Sequence, residues 1–182
     1  MDSLKQLAID VNTRSVRLLS GGEICLAQWT IRFLPAEPDR LPAGTLAKTY
    51  TTKPLVQVDG EPLFGELAIV RWLQKDGWDG VWVDTYHSRG RRKFFWQGMP
   101  HKTEPYDLSS IPRVWKTYNR IVEHNGGRAA GFFDVLAWRG DRLLFAEYKG
   151  KGDKPNKNER AWIDAAVRAG VLTRDMLYVR NP

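Results

Sequence analysis

Residues 132–149 constrain this chain more than any other stretch. Two β-prone runs, 132–138 and 142–149, flank a Gly-led turn, and a two-residue loop at Gly140-Asp141 fixes how they pair. Arg139 then faces Arg142, and each earlier residue faces the one whose number brings the sum to 281. Trp138 falls opposite Leu143, Leu136 opposite Phe145 and Asp134 opposite Glu147, all on one face because strand side chains alternate. An apolar stripe thus ends in two acids. Directly opposed residues have Cβ atoms about 5 Å apart, and like charges there are destabilising. At a surface-like dielectric, two carboxylates ~4 Å apart repel by roughly 4 kcal/mol, a large fraction of a domain's stability.

A shared proton or a neighbouring lysine would relieve that repulsion, as would a divalent cation held by oxygen ligands, the usual relief at phosphate-handling sites. Lys149 lies two residues beyond Glu147 and emerges on the same strand face, where its ammonium could orient water and neutralise charge on a phosphate. The same residues would also suit a salt-bridged solvent face; the apolar Leu143 and Phe145 beside them favour a site. Glu66 is the fourth candidate. It shares a helical stripe with Ile69, Val70 and Leu73, which turns its carboxylate to the core side, although an acid near a helix start also complements the dipole.

The remaining pattern predicts a mixed α/β (α+β) architecture, a central mixed sheet flanked by helices. Two β-prone runs in 15–34 flank Ser20-Gly21-Gly22 as a hairpin, and 35–54 reads as a long connector rich in Pro, Thr and Gly. Pro62 opens a first helix that runs to Asp76 and stops at Gly77. Strands at 81–86 and 93–97 follow, joined by a basic turn, and a second helix spans 110–124. A helix over 157–169, capped by Asn156, and a short strand at 176–179 complete the order. The expected organisation is an N-terminal β-rich extension, residues 1–58, on a core of residues 59–182.

With 28 Lys and Arg against 21 Asp and Glu, the net charge of +7 makes phosphate backbones natural partners. Lys151, Lys154, Lys157 and Arg160 cluster where a loop enters a helix N-terminus, and Arg89, Arg91 and Arg92 fill the basic turn before Phe94, Phe95 and Trp96. All seven are candidate nucleic-acid contacts; the three aromatics read first as strand core. One cysteine, Cys25, excludes an intramolecular disulfide framework and a multi-cysteine zinc site. The three histidines lack ligand spacing, and no Walker or dinucleotide loop is present. No signal-like or membrane-spanning run is found, so a soluble, cytoplasmic protein is expected.

Gly131-Phe132-Phe133-Asp134-Val135, then Phe145-Ala146-Glu147-Tyr148-Lys149-Gly150-Lys151-Gly152-Asp153, then Asn158-Glu159-Arg160-Ala161-Trp162, resemble the VRR-NUC branch of the PD-(D/E)XK, restriction-endonuclease-like nucleases. The bare acid pattern is common; the GxGD extension and the N-x-x-A-W helix make the likeness specific. The resemblance implies a Mg²⁺- or Mn²⁺-dependent endonuclease acting on DNA, the metal held by Asp134, Glu147 and the backbone carbonyl of Tyr148, with Lys149 catalytic and Glu66 as a further acid. It also implies a homodimer. A catalytically inactive nucleic-acid-binding module on the same fold is the alternative. Two departures stand out: Phe133 replaces the family proline, and Glu159 stands where relatives carry glutamine. Asn156 and Glu159 also have capping-box spacing, which gives Glu159 a structural role.

Overall fold

The computed structural model describes residues 1–46, 48–85, 93–150 and 152–182. The elements run α1 (Asp2–Gln6), β1 (Ala8–Arg17), β2 (Glu23–Ile31), β3 (Leu34–Pro35), α2 (Lys48–Thr51), β4 (Leu55–Val58), β5 (Glu61–Phe64) and α3 (Gly65–Lys75). They continue with β6 (Asp79–Asp84), β7 (Phe94–Trp96), α4 (Pro112–His124), β8 (Val135–Arg139), β9 (Arg142–Lys149), α5 (Lys157–Arg168) and β10 (Met176–Arg180). Among the described residues, seven strands form one sheet in the order β1-β2-β10-β9-β8-β6-β7, and β3-β4-β5 form a small second sheet. The large sheet is mixed, with β10 parallel to both β2 and β9 and every other pair antiparallel.

Alternation of side chains gives the sheet two apolar faces, and each is covered. Val135, Ala137, Leu144, Ala146, Leu177 and Val179 face α3. Leu136, Trp138, Phe145 and Tyr178 face α4 and α5. Helix α4 presents Val114, Tyr118, Ile121 and Val122 at helical spacing to that second face. Helix α5 is seated by Trp162, whose ring lies 4.3 Å from Phe133, 5.0 Å from Phe132 and 5.5 Å from Phe145, centre to centre. Those partners immediately precede β8 or lie within β9, so the cluster locks the start of α5 against the end of the β8–β9 hairpin.

The predicted mixed architecture is what the chain adopts, and the β8–β9 register pairs Arg139 with Arg142 and Leu136 with Phe145. Several boundaries need correction. Pro62 is not the first residue of a helix: it lies in β5, paired with Gln57, and α3 starts only at Gly65. A proline is tolerated there because β5 is the edge of the small sheet. The expected connector begins within β3 and contains α2. Residues 108–110 form a separate 3-10 turn, so the second helix begins at Pro112. Regular pairing in β8 begins at Val135 rather than at Phe132. Strands β1 and β2 continue the large sheet, and β3 pairs with β4, which in turn pairs with β5 across residue 58. No helix among the described residues is long and apolar enough to cross a membrane.

Because Trp162 is fully buried and joins α5 to the hairpin, Trp162→Ala should destabilise the protein by about 3–5 kcal/mol. Urea unfolding followed by circular dichroism should show the midpoint falling with little change in slope.

Candidate active site

The β8–β9 ladder stops at the Val135–Ala146 pair, one step before the two acids. There the chain exchanges backbone pairing for side-chain pairing. The carbonyl of Asp134 is held by the Val83 N–H of β6 at 2.7 Å, while its own N–H donates to Glu147 Oε2 at 3.1 Å. In return Asp134 Oδ2 accepts the Tyr148 N–H at 3.0 Å. Each carboxylate therefore caps the other strand. A strand residue sends its N–H and carbonyl to the same side, so the Tyr148 carbonyl also points towards Asp134, beyond the last ladder pair.

Other elements bring charge to this end of the sheet from both faces. Glu66, in the first turn of α3, is buried on one face; Gly65 before it packs against the Tyr148 ring, where a Cβ would overlap the ring carbons. Glu159, in the first turn of α5, is buried on the other. The predicted cap is present: Asn156 accepts the N–H of Asn158 at 2.8 Å and of Glu159 at 3.1 Å. Glu159 Oε1 takes the Asn156 amide at 2.6 Å, leaving Oε2 to meet Lys149. Lys149 is thus gripped by two carboxylates, Glu147 and Glu159, each at 2.8 Å, with side-chain exposures of 7–8% for all three. Lys53, from the turn after α2, pairs with Glu66 Oε1 and lies over the rings of Trp82 and Phe64, 4.9 and 5.5 Å from their centres.

These groups line a cleft of about 390 Å³. Five carboxylates face it, Glu66, Asp134, Glu147, Asp153 and Glu159, against the ammonium groups of Lys53, Lys149 and Lys154. With all five ionised, the described lining residues fall two positive charges short. Burial first, and then the charges of Glu147 and Glu66, raise the Asp134 carboxyl well above the usual carboxylate range. Burial likewise pushes Glu147 up to about 7, although the Lys149 ammonium pulls the other way. Burial disfavours the charge of Lys149 too, but Glu147 and Glu159 outweigh it and raise its pKa.

The structure brings Asp134, Glu147, Lys149 and Glu66 to one cleft, with the Tyr148 backbone beside them. Lys154 lines it as well, whereas Lys157 and Arg160 stand on α5 outside the lining. Arg89, Arg91, Arg92 and Lys151 lie outside the described residues. Phe95 and Trp96 are buried in β7, as strand core. Sequence reasoning passed over Lys53, which sits in the proline-rich segment read as a connector, and kept Glu159 out of the site because its capping spacing explained it. A larger cleft, about 620 Å³, opens at the far end of the β8–β9 hairpin beside Arg120, Arg142 and Arg174, and none of these acids reaches it.

The donor set suits a hard divalent cation. Its oxygens are carboxylates plus a backbone carbonyl, and among the described residues the Glu66 Oε2 atom is buried without a hydrogen-bond partner and the acids outnumber the ammonium groups. Among the described residues no three His, Cys, Asp or Glu side chains converge closely enough to hold an ion as they stand. Lys53 and Lys149 stand on Glu66 and Glu147 instead. No family model matches the chain, and no curated protein or solved structure does either.

The raised carboxyls set a pH dependence whose sign follows from linkage. Between about pH 4.5 and 7 the folded state keeps a proton on Glu147 that the unfolded chain releases, and the raised Asp134 carboxyl acts in the same direction, so stability is full below that window and is lost as pH rises through it. Without metal, the urea midpoint should fall between pH 5 and pH 8, and Asp134→Asn should flatten that fall and be the more stable protein at pH 8. An equal fall in both proteins would mean that these carboxyls titrate normally.

Proposed function

We propose that this protein is a Mg²⁺- or Mn²⁺-dependent nuclease that hydrolyses phosphodiester bonds, with DNA as its substrate, and that it belongs with the VRR-NUC branch of the PD-(D/E)XK enzymes. The observation that carries this reading is the buried, mutually capped Asp134–Glu147 pair at an open sheet end, with Lys149 and Glu66 on the same cleft. An uncharged or cationic substrate would not explain why an acid-lined cleft keeps lysines on both walls; a phosphate brought to a bound cation does.

Glu66, Asp134, Glu147 and the Tyr148 carbonyl would hold the cation, which supplies Lewis acidity to the phosphoryl group and makes water a better nucleophile. The chain's own groups do the positioning. Lys149 enters charged, and its ammonium has three donors, so holding Glu147 and Glu159 leaves one N–H for an attacking water or a phosphoryl oxygen. Glu159 keeps that ammonium from folding wholly onto Glu147. Asn156 fixes Glu159 and belongs to the cap of α5, so the helix start and the lysine's direction are set together. Lys154, exposed on the approach to α5, is placed to meet the backbone of the same strand.

A second reading has one observation in its favour. Both Glu147 oxygens already have protein partners, Lys149 and the Asp134 N–H, which would suit a module that binds nucleic acid without cutting it. Labelled linear, nicked, flapped and four-way DNAs incubated with Mg²⁺ or Mn²⁺ separate the two. Cutting that is abolished by chelation and reduced roughly 100-fold or more in Asp134→Ala, Glu147→Ala and Lys149→Ala is the expected result. Tight, salt-sensitive binding with no cutting by the wild type would favour the silent module instead.

A further inference from the structure

The two oxygens of Glu66 have different surroundings. Oε1 is held by Lys53, while Oε2 is buried without a hydrogen-bond partner among the described residues. The carboxylate is fixed on the first turn of a buried helix and its side chain is 5% exposed. Lys53 is the more exposed member of the pair: its side chain is 20% exposed, follows a four-residue helix and carries its ammonium on four methylenes. Its floor is aromatic, Trp82 and Phe64, which holds an ammonium over the cleft without requiring a carboxylate.

We propose that Lys53 and a divalent cation are alternative partners of Glu66, so that loading of the ion releases the Lys53 ammonium to contact the substrate's phosphate. The inference rests on the nuclease reading and adds to it a residue on the opposite wall from Lys149. Lys53 reaches the acids from the α3 face through Glu66, and Lys149 from the α5 face through Glu159. Asp134 lines the same cleft and feels both charges. A phosphate drawn to that gap would have an ammonium on each side, one held in place by two carboxylates and one freed when the ion arrives. In the metal-free protein the same ammonium offsets a carboxylate that would otherwise lie buried and uncompensated.

The test is manganese(II) binding by calorimetry without DNA, alongside cleavage at saturating metal, for the whole chain and three variants. Lys53→Met should bind manganese at least about fivefold more tightly than the wild type, the strength of a well-made ion pair lost from competition. It should also cut roughly 100-fold more slowly once metal is saturating. Lys53→Arg, whose planar fork grips a carboxylate through two hydrogen bonds, keeps the pair and should bind manganese more weakly than the wild type. This opposite shift decides the matter even if Lys53→Met folds poorly. Lys75→Met removes one positive charge near the other end of α3, from a pair with Asp59, and controls for net charge.

Manganese affinity that moves no more in Lys53→Met than in Lys75→Met, or that is unchanged in Lys53→Arg, would overturn the exchange. Tighter binding with undiminished saturated cleavage would overturn the role at the phosphate. Both outcomes leave wild-type cutting intact, whereas a wild type that neither binds manganese nor cuts removes the nuclease reading itself.

Discussion

The place where β8 and β9 stop pairing governs everything around the cleft. Up to Val135 and Ala146 the two strands satisfy one another through the backbone, and beyond that pair each relies on the other's carboxylate. Exchanging N–H donations in this way stabilises two acids that would otherwise repel, because an anionic acceptor makes a stronger hydrogen bond than a carbonyl does. It also opens the sheet, leaving the Tyr148 N–H and carbonyl directed into the gap. Burial makes that arrangement costly for two negative charges, and the elevated carboxyls of Asp134 and Glu147 record the cost. The lysines, the caps and the neighbouring acids can all be understood as responses to this one junction.

Support for the junction is delivered by packing rather than by the site residues themselves. Trp162 ties α5 to Phe132, Phe133 and Phe145, so Glu159 arrives at a fixed height above Lys149. Gly65 lets α3 come down onto the Tyr148 ring, which fixes Glu66 on the opposite face. Asp164, one turn further along α5, accepts from the N–H and hydroxyl of Ser20 at 3.2 and 2.8 Å and so pins the turn of the β1–β2 hairpin. Glu66 comes from a segment far from the other acids in the chain, and it and Glu159 are each positioned by a packing contact within a few residues.

How much of this was legible follows from which constraints are local. Hairpin register is local, since a two-residue turn and an alternating apolar stripe fix it, and so Asp134, Glu147 and Lys149 could be placed from sequence. The stripe around Glu66 was legible for the same reason, although its helix begins at Gly65 and not at Pro62, because a proline suits an edge strand as well as a helix start. Lys53 carried no such signal. It sits in a segment without periodicity, and only the tertiary fold brings it to Glu66. Glu159 was ambiguous in a different way: the spacing that makes it a capping residue is the spacing that puts it over Lys149, and the structure uses it for both. The parallel placement of β10 between β9 and β2 was also beyond sequence pattern, because no turn fixes a pairing between distant strands.

That last arrangement bears on how the molecule comes into being. The inner edge of the β1–β2 hairpin is filled only by β10, where Ala27 pairs with Leu177. A chain emerging from the ribosome therefore carries β2 with this edge unfilled until β10 has been made, while the elements of the cleft are still being synthesised. Contacts of such long range slow folding and leave strand edges open to wrong partners. The hairpin's outer strand is rich in polar residues, Asp10, Asn12, Thr13, Arg14 and Ser15 among them, and polar side chains of this kind restrain edge-to-edge association. What looks in the finished fold like a plain margin of the sheet thus also serves the nascent chain, discouraging wrong edge pairings until β10 is in place.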